Sequence, residues 1–154
     1  GHSTLVDGFT VTEELKESYH EYYKILTEVK VKYQFIDKDV ILENWAEMIE
    51  LDENKNFKQV RFSPRLDFVP LIDKEKLDVY YKARNKISEF YNSSKYRIEF
   101  KLLSGDLIMM DNYRLLHGRT SFNANEGNRF LQGCYIDYDS TEGKIKHLKR
   151  KFNI

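Results

Sequence analysis

The chain has 154 residues, and its 25 basic and 25 acidic side chains cancel to a formal net charge of zero. That balance excludes a field that would steer it to nucleic acid or to an anionic membrane, and the length suffices for one domain with a real core. The single cysteine, Cys134, rules out an intrachain disulfide, and no apolar run is long enough to span a bilayer.

Residues 3–9 read as a short strand ending in a turn at Asp7-Gly8. Thr10 and Glu13 form a capping-box pattern, predicting a helix that runs to about Thr27. Leu15, Tyr19, Tyr22 and Leu26 lie on one face of it. His20, set among charges, is expected on the surface. Residues 29–36 alternate, with Val29, Val31, Tyr33 and Phe35 on one side, as in a half-buried strand. Residues 37–44 read as loop or a short helical turn. Residues 45–51 and 57–63 read as two strands of a hairpin closed by the polar turn 52–56.

Pro64 ends that hairpin because it cannot donate to a ladder. Asp73 reads as the N-cap of a second helix over 74–91, closed by Asn92-Ser93-Ser94. Residues 96–102 alternate as a strand, and Ser104-Gly105-Asp106 is a tight turn. Residues 107–110 read as a buried strand leading to a polar bend with His117, and 129–138 as a second strand opened by Arg129. A polar loop, 122–128, joins them. The basic tail from Gly143 reads as a short, partly exposed helix. The pattern predicts one β-rich α+β domain, in which sandwich, barrel and jelly roll all remain open.

A histidine at a strand end can offer an imidazole nitrogen to a metal. An arginine on a neighbouring strand offers a planar fork for a carboxylate. Read by themselves, His117 could be a core histidine bonded to backbone, and Arg129 a strand arginine in a surface salt bridge. Tyr135 suits either a packed core or an aromatic face for a cation.

The run Asp111-Asn112-Tyr113-Arg114-Leu115-Leu116-His117-Gly118-Arg119, followed by Arg129 and Gly133-Cys134-Tyr135, resembles the C-terminal motif of the γ-butyrobetaine and trimethyllysine dioxygenases. Ser3-Thr4-Leu5-Val6-Asp7-Gly8-Phe9 is similar to the segment that follows the first iron ligands in that family. The resemblance implies a double-stranded β-helix (jelly roll) with flanking helices, incomplete here, and residues 1–154 as the C-terminal part of one catalytic domain. It implies an Fe(II)- and 2-oxoglutarate-dependent dioxygenase acting on a small trimethylammonium substrate, and admits ascorbate as a further requirement. His117 would be an iron ligand and Arg129 would pair with the distal carboxylate of 2-oxoglutarate. Arg119 would help position that cosubstrate or brace the bend. Tyr135 would join an aromatic cage for the trimethylammonium group. Ser63 falls where the family carries a polar residue near the substrate, asparagine in the relatives expected to be closest.

The family's other two iron ligands come from a His-X-Asp motif, and no His-X-Asp or His-X-Glu occurs in this chain. The expectation is a chain that begins after that motif and is inactive by itself. Leu115 to Arg119 and Asp137-Tyr138-Asp139 lean toward the butyrobetaine enzyme. That reading places the protein in the cytoplasm, and a trimethyllysine reading in the mitochondrion. No nucleic acid or membrane partner is expected; a homodimer is allowed for. The competing reading is a truncated, non-catalytic binding or interaction module that pairs through an exposed sheet edge.

Overall fold

The computed structural model describes residues 1–121 and 130–154. The chain forms two units, Gly1–Phe122 and Asn123–Ile154. The first holds the packed core.

In the first unit, strand β1 (Ser3–Asp7) leads into helix α1 (Gly8–Ser18), and α2 (His20–Glu28) follows after a break at Tyr19. The predicted single helix is therefore two. The Asp7 carboxylate caps α1 by accepting from the backbone N–H groups of Phe9 and Thr10, at 3.1 and 3.4 Å. This replaces the predicted Thr10/Glu13 box: Thr10 already lies within the first turn. At Tyr19 the backbone leaves helical geometry (φ −141°), and the ring stacks on Tyr22 and meets Phe90 edge-on. The break keeps Val11, Leu15 and Leu26 buried while Tyr19 stays 38% exposed.

Helix α3 (Lys74–Asn92) lies against both. Its Tyr80, Ala83, Ile87 and Tyr91 recur at the spacing of one helical face, and all are buried. Asp73 occupies the predicted N-cap position but makes no side-chain capping bond. The three helices close over Val31, Met48, Ile49 and Val60 to form one cluster. Burial pushes the phenols of Tyr33, Tyr80 and Tyr91 up, so they stay protonated.

Residues 37–44, read as loop or helical turn, are instead the tip and return of a hairpin. Strands β2 (Lys30–Asp37) and β3 (Val40–Glu47) pair antiparallel, with Phe35 opposite Leu42 and Ile36 opposite Ile41. Val40 and Ile41 suit a strand, and the Asp37 carboxylate accepts the Lys38 N–H at 2.7 Å to turn the chain. The predicted second hairpin is present as β4 (Ile49–Leu51) and β5 (Phe57–Val60). Asp52 organises its turn by accepting the Asn54 and Asn56 N–H groups, both at 2.8 Å.

The third sheet positions the candidate site. Its order is β6-β1-β7, with β6 (Arg97–Phe100) and β7 (Leu115–Arg119) both antiparallel to central β1. Residues directly opposite one another share a face, and faces alternate along each strand. Val6 and Leu116 face the core, and Val6 is buried. Leu5, Ile98 and His117 form a row on the opposite face, where Ile98 is 60% exposed.

Two predicted strands are not formed. Residues 107–110 have no regular structure, and Leu107 and Met109 are almost fully exposed. Residues 130–137 are likewise irregular, and Tyr138 begins helix α4 (Tyr138–Phe152). An apolar run becomes a strand only when another strand supplies its hydrogen bonds, and neither segment has such a neighbour among the described residues. The architecture is mixed α/β, with more residues in helices than in strands, so it is not β-rich. The seven strands lie in three separate sheets, and no closed jelly roll forms among the described residues. In the second unit the basic tail is helical as predicted, and α4 is exposed along its length.

Tyr80 is buried with no partner for its hydroxyl among the described residues. Tyr80→Phe is therefore expected to leave stability unchanged or raise it. Tyr80→Ala, which empties the ring's volume, should cost about 3 kcal/mol or more in urea unfolding.

Candidate active site

The bend ahead of β7 is built by Asp111. Its carboxylate accepts the Tyr113 N–H at 2.9 Å, and its carbonyl accepts the N–H groups of Arg114 and Leu115 at 3.2 and 2.8 Å. The carbonyls of Tyr113 and Arg114 then bond to other elements. Tyr113 accepts from Val60 N–H at the end of β5, at 2.9 Å, and Arg114 accepts from Gly8 N–H at the start of α1, at 3.0 Å. A side chain at Gly8 would place its Cβ 2.8 Å from the Arg114 carbonyl oxygen, so only glycine permits this approach.

The Arg114 guanidinium grips Asp7. Its Nε lies 3.0 and 3.1 Å from the two carboxylate oxygens, and Nη2 makes a further short bond to Oδ2. The same guanidinium lies over the Phe9 ring at 5.5 Å. Asp7 therefore serves two masters, the α1 N-terminus and Arg114. These hydrogen bonds, those from Arg114 foremost, hold its carboxyl below the usual carboxylate range.

From this junction β7 runs along β1. His117 stands opposite Leu5, and Arg119 opposite Ser3. Two residues apart on one strand, they leave from the same face, and both are exposed. Gly118, between them, faces Thr4, whose Oγ1 would lie 3.0 Å from an added Cβ. His2 belongs to the opposite side, where its Nδ1 lies 2.8 Å from Glu99. Beyond β7 the pairing continues, since Thr120 N–H donates to the His2 carbonyl at 2.9 Å.

Ser63 lies half-buried in the loop after β5. Tyr135 is 86% exposed in the second unit, so it is not a packed core tyrosine among the described residues. Arg129 lies outside the described residues. The donors present do not make an iron site by themselves. His117 has Leu5 and Ile98 in its row, and no cluster of three metal-binding side chains exists among the described residues. The sequence reading overlooked Asp7, Gly8, Asp111 and Arg114 as a unit. Their signals were present: an aspartate directly before a helix, and an arginine entering an apolar pair of leucines.

The sequence model of the "Taurine catabolism dioxygenase TauD, TfdA family" matches residues 1–135. γ-Butyrobetaine dioxygenase of Homo sapiens is 31% identical over 98% of this chain and 40% of its own length. The enzyme of that name from Pseudomonas sp. (strain AK-1) is 30% identical over 97% of the chain and 39% of itself. Mitochondrial trimethyllysine dioxygenase of Bos taurus is 24% identical over 90% of the chain and 34% of itself. The chain thus spans about two fifths or less of the length of these curated relatives.

The Asp7 contact gives a pH dependence of defined sign. A carboxyl with a depressed folded pKa stabilises fully above its unfolded value and loses that contribution as pH falls through the folded one. Asp7→Asn should therefore be less stable than the natural chain at neutral pH. In urea unfolding the gap should narrow only below about pH 3.9, the ordinary aspartate value. A gap that closes at higher pH would assign it to another group.

Proposed function

Because the chain belongs to the TauD/TfdA dioxygenase family, we propose that it is the C-terminal part of an Fe(II)- and 2-oxoglutarate-dependent dioxygenase acting on a small trimethylammonium compound. Iron with 2-oxoglutarate would supply oxygen activation for hydroxylating an unreactive carbon. The observation that carries the reading is the strand β7, which sets His117 and Arg119 side by side on an open sheet face.

In this reading His117 is one metal ligand, and the remaining donors come from outside the described residues. Arg129 meets the distal carboxylate of 2-oxoglutarate with its planar fork, and Arg119 adds positive charge beside it. Tyr135 offers an aromatic face to the trimethylammonium group, which cannot donate a hydrogen bond; such a face contributes about 0.5–2 kcal/mol. Ser63 is the polar residue near the substrate. The butyrobetaine enzymes are preferred as the guide to substrate because they are the more similar relatives. With that substrate the protein would work in the cytoplasm, and with trimethyllysine in the mitochondrion. Among the described residues, no helix is long and apolar enough to cross a membrane.

A second reading, a non-catalytic interaction module, is favoured by one fact: no three-donor metal cluster exists among the described residues. One assay separates the two. The intact protein is supplied with Fe(II), 2-oxoglutarate and γ-butyrobetaine, and hydroxylated product and succinate are measured. Turnover is expected, and Arg129→Ala should raise the KM for 2-oxoglutarate about 30-fold or more, as follows from leaving a carboxylate without its partner (about 2 kcal/mol). Unchanged cosubstrate kinetics would remove Arg129 from its role. No turnover of γ-butyrobetaine, or of trimethyllysine supplied in its place, would favour the interaction module.

A further inference from the structure

We propose that the Asp7–Arg114 ion pair is a register lock for β7, and so the positioning element for His117 and Arg119. The inference rests on the reading of those two side chains as functional.

The apolar pattern of β7 specifies its register only weakly. The strand has five residues and, among the described residues, pairs with β1 on one side only. A slip of one residue would turn every side chain of an edge strand to the other face. A buried apolar pattern normally forbids this, but here Leu115 and Leu116 are adjacent. A slip would exchange one leucine for the other on the core face, at little hydrophobic cost. It would also carry His117 and Arg119 off the open face.

Backbone hydrogen bonds at both ends of β7 oppose the slip, and two side-chain features add to them. Gly118 disfavours it sterically, because a slipped strand puts a side chain opposite Thr4, where a Cβ would lie 3.0 Å from Oγ1 and the threonine would have to give way. The Asp7–Arg114 pair opposes it by attraction. The bidentate fork has one geometry with respect to the carboxylate, and Asp7 is itself held by the α1 amides. Arg114 directly precedes β7, and its carbonyl is fixed by Gly8 N–H at 3.0 Å. The strand therefore leaves a fixed point, with His117 three residues beyond it.

Amide hydrogen exchange and NOE spectra of the full chain test the lock. Asn caps a helix as well as Asp does, so Asp7→Asn removes the ion pair and keeps the cap. Arg114→Gln removes the pair from the other side, away from the cap. Each is expected to speed exchange across 115–119 roughly tenfold, the factor for about 1.4 kcal/mol of local stability. Each should also weaken the Leu5–His117 cross-strand NOE and shift the His117 ring resonances. Amides of β6 and of α3 should speed by clearly less than those of β7, by no more than the variant's loss of global stability. The double variant should be no worse than either single one, because the two residues act as a pair.

Unchanged exchange in β7 would overturn the proposal. So would additive losses in the double variant, or an equal loss in β6 and α3, which would make the pair a general scaffold contact. None of these readouts involves catalysis. Failure of the lock leaves the Arg129 result standing, and failure of the dioxygenase reading leaves the exchange result standing.

Discussion

Four chain segments meet at the Asp7 carboxylate and the Arg114 peptide. The end of β1, the N-terminus of α1, the bend before β7 and, through the neighbouring Tyr113 carbonyl, the end of β5 are joined by hydrogen bonds of ordinary length. Each segment would otherwise leave an unpaired polar group: helix N-terminal amides, a turn carbonyl, a strand-end N–H. One junction satisfies them together. The price is sequence restriction, because an Asp, a Gly and an Arg must occupy 7, 8 and 114.

The hydrophobic core lies on one side of this junction and the candidate site on the other. Val6 and Leu116 turn toward the helices, while Leu5, Ile98 and His117 turn away. The outward row is unusual for a solvated surface, since two of its three members are aliphatic. Leu5 and Ile98 stand beside His117, and Arg119 follows two residues further along β7. Among the described residues, no group of three metal-binding side chains of the kind an iron site needs forms on this face. Family membership supplies the oxygenase reading; the fold supplies the placement of His117 and Arg119 within it.

The β2–β3 hairpin shows the opposite relation between pattern and burial. Phe35 and Leu42 share one face of its tip, and Ile36 and Ile41 share the other; all four are substantially exposed. The hairpin reaches the core at its root, through Val31, Tyr33 and Ala46. Apolar alternation located the strand β2 correctly but could not say which part of it is covered. The same limit explains 107–110, where four consecutive apolar residues form no strand. Hydrophobicity records a preference for burial, whereas a strand also needs a neighbour.

By itself the sequence determined what depends on nearby residues. Helix α3 was legible from the spacing of Tyr80, Ile87 and Tyr91, the 52–56 turn from its polar run, and the dioxygenase family from the ordered run around His117. These signals are local, set by side-chain period and turn chemistry. Tertiary structure decided the rest. It alone pairs Asp7 with Arg114, 107 positions away, breaks the first helix at Tyr19 so that both halves pack, and places His117 opposite Leu5. Such contacts are chosen by the geometry of the whole packed unit, which no window of neighbouring residues contains.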